Sequence, residues 1–391
     1  MHTIDVSSAV SAIAEQLIAW RRHLHENPEL SFQEVETSQF VYDQLVAMGY
    51  TEIERPTPTS VVARLRGAKP GKTLAIRADM DALPIEEENT FPYRSKRPGV
   101  MHACGHDGHT AMLLGTAKIL MEHRDALQGE VRFLFQHAEE QFPGGAQEMV
   151  KAGVLNGVDL VIGTHLAAQF PTGKIGVRAG AVTAAPDVFR IRVRGRGGHG
   201  AMPHETVDPI VVGAQIVNAF QHIVSRFTDP LDKLVVSVCE FHAGTADNII
   251  PDMAELVGTV RSLNPALRDQ VPEQMRRLLD GLEVMYGAKI EFEYERGYAS
   301  VVNDAELTAR MRAIAEQVVG ADNVIDMDPL MVGEDFSAFA NRVPGCYFYT
   351  GSANPELGSD FPHHHPRFTI DEAALQNGVA MFVTAALAFL G

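Results

Sequence analysis

The chain has 391 residues, with 33 Lys and Arg against 50 Asp and Glu, a net charge of −17. At roughly 100–200 residues per domain that length suits two domains or three, while 46% hydrophobic and 21% charged residues exclude disordered and collagen-like sequence. An acidic balance without a basic cluster argues against nucleic acid and anionic membrane surfaces as partners, and no run of about 18 apolar residues offers a membrane span.

In chain order, Met1-His-Thr-Ile-Asp5 has no basic segment followed by an apolar one, so no secretory signal is expected. Val6 to His25 reads as an amphipathic helix closed by Glu26-Asn27-Pro28. Ser31 with Glu34 three residues on is a capping-box signature, predicting a second helix through Val46 that Gly49 stops. Thr73–Arg77, Val131–Phe135 and Leu160–Gly163 are apolar runs of the buried-strand kind, with helical stretches at Ala111–His123 and Ala146–Ala152. That alternation predicts an α/β domain on a mostly parallel sheet. From Thr183 the texture changes. Val188–Arg194 alternates apolar and basic residues, the pattern of a strand with one wet face. Asp208-Pro209 opens a helix through Ile223. Strands follow at Val235–Phe241 and Met253–Arg261, then a helix over Leu267–Tyr286 and a strand at Lys289–Tyr294. That order is the split βαβ pattern of a compact α+β domain. The α/β texture then resumes and closes with a helix over Asp371–Leu390. The simplest organisation is one α/β domain, residues 1–182 and 297–391, with an α+β domain inserted at 183–296.

The 16 histidines are many beside a single tryptophan, and several cluster. Met101-His-Ala-Cys-Gly-His-Asp-Gly-His109 sets Cys104 and His106 two residues apart, a thiolate and an imidazole suited to zinc, nickel, cobalt or iron. A buried free cysteine at a polar helix start, or a reactive thiol, fits this loop equally. The apolar strand ending at His137 runs into Glu139-Glu140, two carboxylates that are costly there unless a cation compensates them. Adjacent residues point to opposite sides, so one can ligate while the other acts as general base. The blander alternative is a solvated turn. A third strand ends in Thr164-His165, and Phe361-Pro-His-His-His-Pro-Arg-Phe368 adds another cluster. Strand ends along one sheet edge are where α/β proteins build sites. Asp79 and Asp81 follow the strand Thr73–Arg77 as ligands or as supports for ligands. Glu334 in Gly333-Glu-Asp-Phe336 suits a helix start better than catalysis. Gly195-Arg-Gly-Gly-His-Gly200 formally fits a dinucleotide loop but lacks its context; its glycines better serve a close backbone approach that presents His199. Asn248 and Arg261 belong to the inserted domain, and an arginine suits a substrate carboxylate. Cys104, Cys239 and Cys346 are too far apart for a disulfide framework, so a reducing cytoplasm is expected.

These motifs together resemble a known family. Arg21–Glu34, Arg77-Ala-Asp-Met-Asp-Ala-Leu-Pro84, His102-Ala-Cys-Gly-His-Asp107, His137-Ala-Glu-Glu140, Gly197-Gly-His-Gly-Ala201 and Asn248-Ile-Ile-Pro251 are similar to the amidohydrolase branch of the aminoacylase and carboxypeptidase metallopeptidase superfamily. That group holds hippurate hydrolases, auxin–amino acid hydrolases and N-acetyl-diaminopimelate deacetylases. The resemblance spans Arg21 to Phe368. It implies a zinc-peptidase-like three-layer catalytic domain and an inserted ferredoxin-like lid and dimerisation domain, hence a homodimer or higher homo-oligomer. It further implies Cys104, His106, Glu140, His165 and His364 as ligands of two divalent metal ions (zinc, manganese, nickel or cobalt), with Glu139 as general base. His364 is chosen over His363 and His365 by the family pattern His-x-Pro-Arg-Phe. Asp79 stands where sister branches carry a metal-binding histidine, which leaves the metal's identity open. His199 resembles a lid histidine that reaches the partner subunit's site, and Asn248 and Arg261 match residues that hold the substrate carboxylate. The expected activity is metal-assisted hydrolysis of a small N-acyl amino acid. A dipeptidase or carboxypeptidase, or a non-catalytic dimeric binding protein, is the alternative.

Overall fold

The apolar runs at Thr73–Arg77 and Val131–Phe135 lie within two parallel strands, Lys69–Asp79 and Gln128–Gln136, in a computed structural model that describes residues 4–391. The expectation of no signal segment falls partly on residues outside those described. An eight-stranded sheet runs in spatial order through Ile53–Glu54, Val61–Arg66, Gln128–Gln136, Lys69–Asp79, Leu160–Pro171, Gly345–Ala353, Ile175–Val177 and Val324–Asp326. Four of its seven strand pairings are parallel, in line with the alternation, and three are antiparallel. Ile53–Glu54 and Val61–Arg66 are joined by a link too short for a crossover, which forces antiparallel pairing. Val61–Arg66 is also antiparallel to Gln128–Gln136, as is Gly345–Ala353 to Ile175–Val177. The third predicted strand extends to Pro171 because Gly345–Ala353 pairs alongside it that far. Thr164 and His165 therefore lie inside a strand, not at its end.

The helices His106–Glu122 and Ala374–Leu390 pack on each other and on the sheet, burying Leu113, Leu114, Leu120, Val379 and Phe382 in one core with Leu17 and Trp20. Three local expectations are corrected. The first helix is two, Val6–Ala12 and Ala14–Glu26, broken at Ile13, whose side chain is buried. Ser31 and Glu34 form no capping box: the helix Val35–Ala47 has no side-chain cap. Ser31 Oγ donates instead to Asp81, and Glu34 turns its carboxylate to the Phe32 and Ala138 amides. Nor does Glu334 cap a helix, since the following one starts at Ser337 with no side-chain bond at its cap residue Phe336.

The chain divides into two compact units. The first runs through Val182 and includes Val301–Asp328 and Asp335–Gly391; the second comprises Thr183–Ser300 and Pro329–Glu334. In the second, a four-stranded antiparallel sheet orders Leu234–Ala243, Met253–Ser262, Ala185–Arg194 and Lys289–Arg296. Phe189, Ile191 and Val193 face the helices Pro209–His222 and Pro265–Tyr286 in the core. The alternating Arg192 and Arg194 face outward and pair across the sheet with Glu255 and Glu291 at 2.7–3.2 Å. Among the described residues no helix is long and apolar enough to cross a membrane.

Candidate metal centre

Gly105, at φ 92°, ends the loop before the helix His106–Glu122, a conformation open to glycine, and sets Cys104 and His106 at the helix start. Cys104 Sγ lies 3.4 Å from His165 Nε2, and together with His106 they form a group of donor atoms within 4.8 Å of one another. Cys104, Glu140 and His364 form another such group, and His106, Glu139 and Glu140 a third. His364 Nε2 stands 3.3 Å from Glu140 Oε1, and His106 Nε2 stands 3.9 Å from the same oxygen. All six residues belong to the first unit. Of the three adjacent histidines, only His364 joins these groups. His363 Nε2 accepts from the Ala168 amide, and His365 stacks on Phe361. The two neighbouring glutamates converge although an extended chain would splay them. The strand has ended at Gln136, and Ala138 turns the chain at φ 48°.

The residues fit a divalent cation. His106 Nε2 is buried without a hydrogen-bond partner among the described residues, a costly state for a polar atom unless a ligand completes it. Burial opposes charge on His106, yet Asp79, Asp81 and Glu140 outweigh it and lift the imidazole to about 10. The acids thus hold a positive charge at that position. Burial, with Glu140, Glu139 and Asp79 beside it, pushes the Cys104 thiol well up. Burial also pushes His165 well down, helped by His109 and His363. A thiol, three imidazoles and two carboxylates in three overlapping groups are a transition-metal donor set, and such a cation favours the thiolate and displaces the proton from His106.

Behind the donors lies a polar frame. His106 Nδ1 donates to the Asp81 carbonyl at 2.9 Å and His165 Nδ1 to the Leu166 carbonyl at 2.7 Å, so each keeps Nε2 for the donor ring. Asp81 accepts from Ser31 Oγ at 2.7 Å and from the Glu140 amide at 2.9 Å. Asp79 is a support: it accepts from His109 Nδ1 and Arg77 Nη1, both at 2.6 Å. Burial works against its charge, but Arg77, His106 and His109 hold Asp79 well below the usual carboxylate range. His109 Nε2 accepts from the Leu166 amide, so neither of its ring nitrogens is left for a metal. Arg77 also donates to Gln136 at 2.7 Å and Asp335 at 2.8 Å. The Asp335 amide in turn donates to Glu139 at 3.4 Å. Arg21 and His25 both donate to Asp107 at 2.8 Å, tying down the first turn of the His106 helix. Glu34 is buried, which together with Asp81 raises its carboxyl to about 7. Sequence reading missed most of this frame. Its one signal was a charged Arg77 closing an apolar strand, which needs a buried partner; Asp335 lies 258 positions further on.

His199, Asn248 and Arg261 belong to the second unit. His199 is exposed on a short strand, Gly198–His199, paired with Ile249–Ile250, and its Nδ1 accepts from the Ala201 amide. The glycines before it permit close backbone approach: a Cβ at Gly195 would fall 2.0 Å from the Val207 carbonyl oxygen. Asn248 accepts the Gly200 amide through its carbonyl at 2.8 Å. Arg261 is half-buried beside Thr259, and burial lowers its pKa despite Asp187.

The sequence profile described as Peptidase family M20/M25/M40 matches residues 75–388. N-acyl-L-amino acid amidohydrolase of Geobacillus stearothermophilus is 59% identical over 299 residues, 76% of this chain and 81% of the relative. Thermostable carboxypeptidase 2 of Saccharolobus solfataricus is 44% identical over 384 residues, 97% of each. A solved Bacillus subtilis structure, described as a dinuclear metal binding peptidase from M20 family, matches at a TM-score of 0.85 and 38% identity, covering 97% of this chain and 99% of that one.

Proposed function

The chain belongs to peptidase family M20/M25/M40, and from that premise we propose that it is a metal-dependent amidohydrolase cleaving the amide bond of N-acyl amino acids. The observation that carries the reading is Glu139, a carboxylate beside the donors His106 and Glu140 and held by the Asp335 amide. The 59% identity with an N-acyl-L-amino acid amidohydrolase supports the substrate class.

Cys104, His106, Glu140, His165 and His364 would hold two divalent cations (zinc, manganese, nickel or cobalt), which supply Lewis acidity to the amide carbonyl and to a water. Glu139 takes the water's proton and passes it to the leaving nitrogen. His199 donates to the developing oxyanion, while Arg261 and Asn248 hold the substrate's α-carboxylate. Water is the nucleophile, so the chain forms no covalent bond to the acyl group. We take the inserted unit, near residues 183–296, to be a lid that pairs two copies. Its edge strand Leu234–Ala243 exposes Val235 and Phe241, and the neighbouring helix exposes Ile210 and Val211, a surface suited to a second copy. Free thiols at Cys104, Cys239 and Cys346 accord with a reducing cytoplasm.

The 44% identity with a carboxypeptidase favours one rival reading, cleavage of peptides. Protein reconstituted with each of the four metals and assayed on benzoyl-glycine, N-acetyl amino acids and dipeptides separates the two. Faster release from the N-acyl amino acids is expected. Preference for dipeptides would favour the peptidase, and metal binding without turnover on any of them would indicate a binding protein.

A further inference from the structure

We propose that Glu34 is a positioning residue for this chemistry: its carboxylate holds Ala138 in the left-handed backbone that brings Glu139 and Glu140 together. The inference rests on the roles given to those two glutamates above.

Residues other than glycine rarely adopt positive φ, and persist there only where their surroundings over-determine them. Two such residues, Phe32 at φ 65° and Ala138 at φ 48°, donate their amides to one atom, Glu34 Oε1, at 3.0 and 2.8 Å. Oε2 is anchored separately by Thr59 Oγ1 at 2.9 Å, and the Glu34 side chain is fully buried. Both ends of the turn are therefore gripped. The Ala138 amide goes to Glu34, and the Glu140 amide goes to Asp81, which Ser31 holds in turn. The Ala138 carbonyl accepts from the Gly145 amide at 2.9 Å. A Cβ at Gly145 would sit 1.9 Å from the His137 carbonyl oxygen, so the turn is closed on that side by backbone. The Phe32 ring meets His137 edge-on at 5.6 Å, which ties the left-handed Phe32 to the residue just before Ala138. With that turn relaxed to an extended chain, Glu139 and Glu140 would point apart.

The test compares Glu34→Ala, Glu34→Gln and Thr59→Val with the unaltered protein. Zinc affinity is measured by competition with a chromophoric chelator, kcat and KM on benzoyl-glycine, and stability by thermal unfolding. Glu34→Ala should weaken zinc binding and lower kcat, each by about 10–100-fold, with KM little changed. Glu34→Gln keeps the acceptor oxygen and should stay near the unaltered protein. Thr59→Val removes only the outer anchor and should lower stability more than kcat. Glycine accepts φ 48° without strain, so adding Ala138→Gly to Glu34→Ala should recover zinc affinity by about fivefold or more. The proposal is overturned if folded Glu34→Ala binds zinc normally, if Ala138→Gly recovers nothing, or if Glu34→Gln is as impaired as Glu34→Ala. If Glu34→Ala does not fold, Glu34→Gln decides: normal zinc affinity supports the role, and a loss as large as that of Glu140→Gln overturns it. Zinc affinity is read without substrate, so this arm stays decisive even if the enzyme proves inert toward N-acyl amino acids.

Discussion

Replacing Arg77 by Met tests whether buried charge holds the frame behind the donors. Arg77 is only 1% exposed and donates to Asp79, Gln136 and Asp335 at 2.6, 2.7 and 2.8 Å. Methionine fills much of the same space but takes the guanidinium away from two buried carboxylates, Asp79 and Asp335. Removing one partner of a buried ion pair costs about 3–5 kcal/mol. Counting the three charge-assisted bonds separately at roughly 1.5–3 kcal/mol each would give a larger figure, about 4.5–9 kcal/mol. The lower figure applies here, because both acids keep other donors. Asp335 retains Gln136 Nε2 at 2.8 Å and the Ala146 amide at 3.0 Å, and Asp79 retains His109. At about 2–4 °C per kcal/mol, a loss of about 3–5 kcal/mol should lower the melting midpoint of the first unit by roughly 6–20 °C. Trp20 is the only tryptophan, is buried and belongs to that unit, so its fluorescence follows the relevant transition alone. Urea and thermal unfolding should be followed by that fluorescence on chelated protein, which removes any contribution from bound metal. Arg77→Lys retains charge but not the planar fork that spans three acceptors, and should fall between Met and the unaltered protein. A loss below about 1 kcal/mol for Met, or full retention by Lys, would refute the reasoning.

Three further outcomes follow from the site. Glu139→Ala should lower kcat on benzoyl-glycine by on the order of 10²–10⁴ while metal content by atomic absorption stays near normal; retention of more than roughly a tenth of the activity would remove Glu139 as the base. Cys104 should react slowly with iodoacetamide when metal is bound and faster after chelation, read by mass spectrometry of the labelled peptide; equal rates would contradict ligation. Glu139→Ala and His199→Ala, each nearly inactive alone, should regain roughly a quarter of the sites when co-refolded in equal amounts, if His199 completes the partner's site across a two-fold axis. With subunit exchange confirmed by mass, no recovery would place His199 within its own subunit.

Patterns that depend on near neighbours were legible without coordinates. The period-2 run at Val188–Arg194, the Asp208-Pro209 helix start and the split βαβ order all reappear as structure, since alternation and capping act within a few residues. The donor residues could be named because metal ligands are drawn from few side-chain types, and the family motifs added their assignment. What local pattern could not supply was which distant groups each side chain meets. Ser31 and Glu34 match a capping box, yet long-range partners at Asp81 and Ala138 outbid the adjacent helix for them. His165 lies inside its strand because a strand about 180 positions later pairs beside it. Arg77 meets Asp335, and His364 rather than its two neighbours meets Glu140, only after the chain has closed over hundreds of residues. Sequence alone thus determined the elements, the inserted pattern and the chemical types at the site. Tertiary structure decided their partners and aim, because a buried charge or a left-handed turn is stable only when every contact around it forms together.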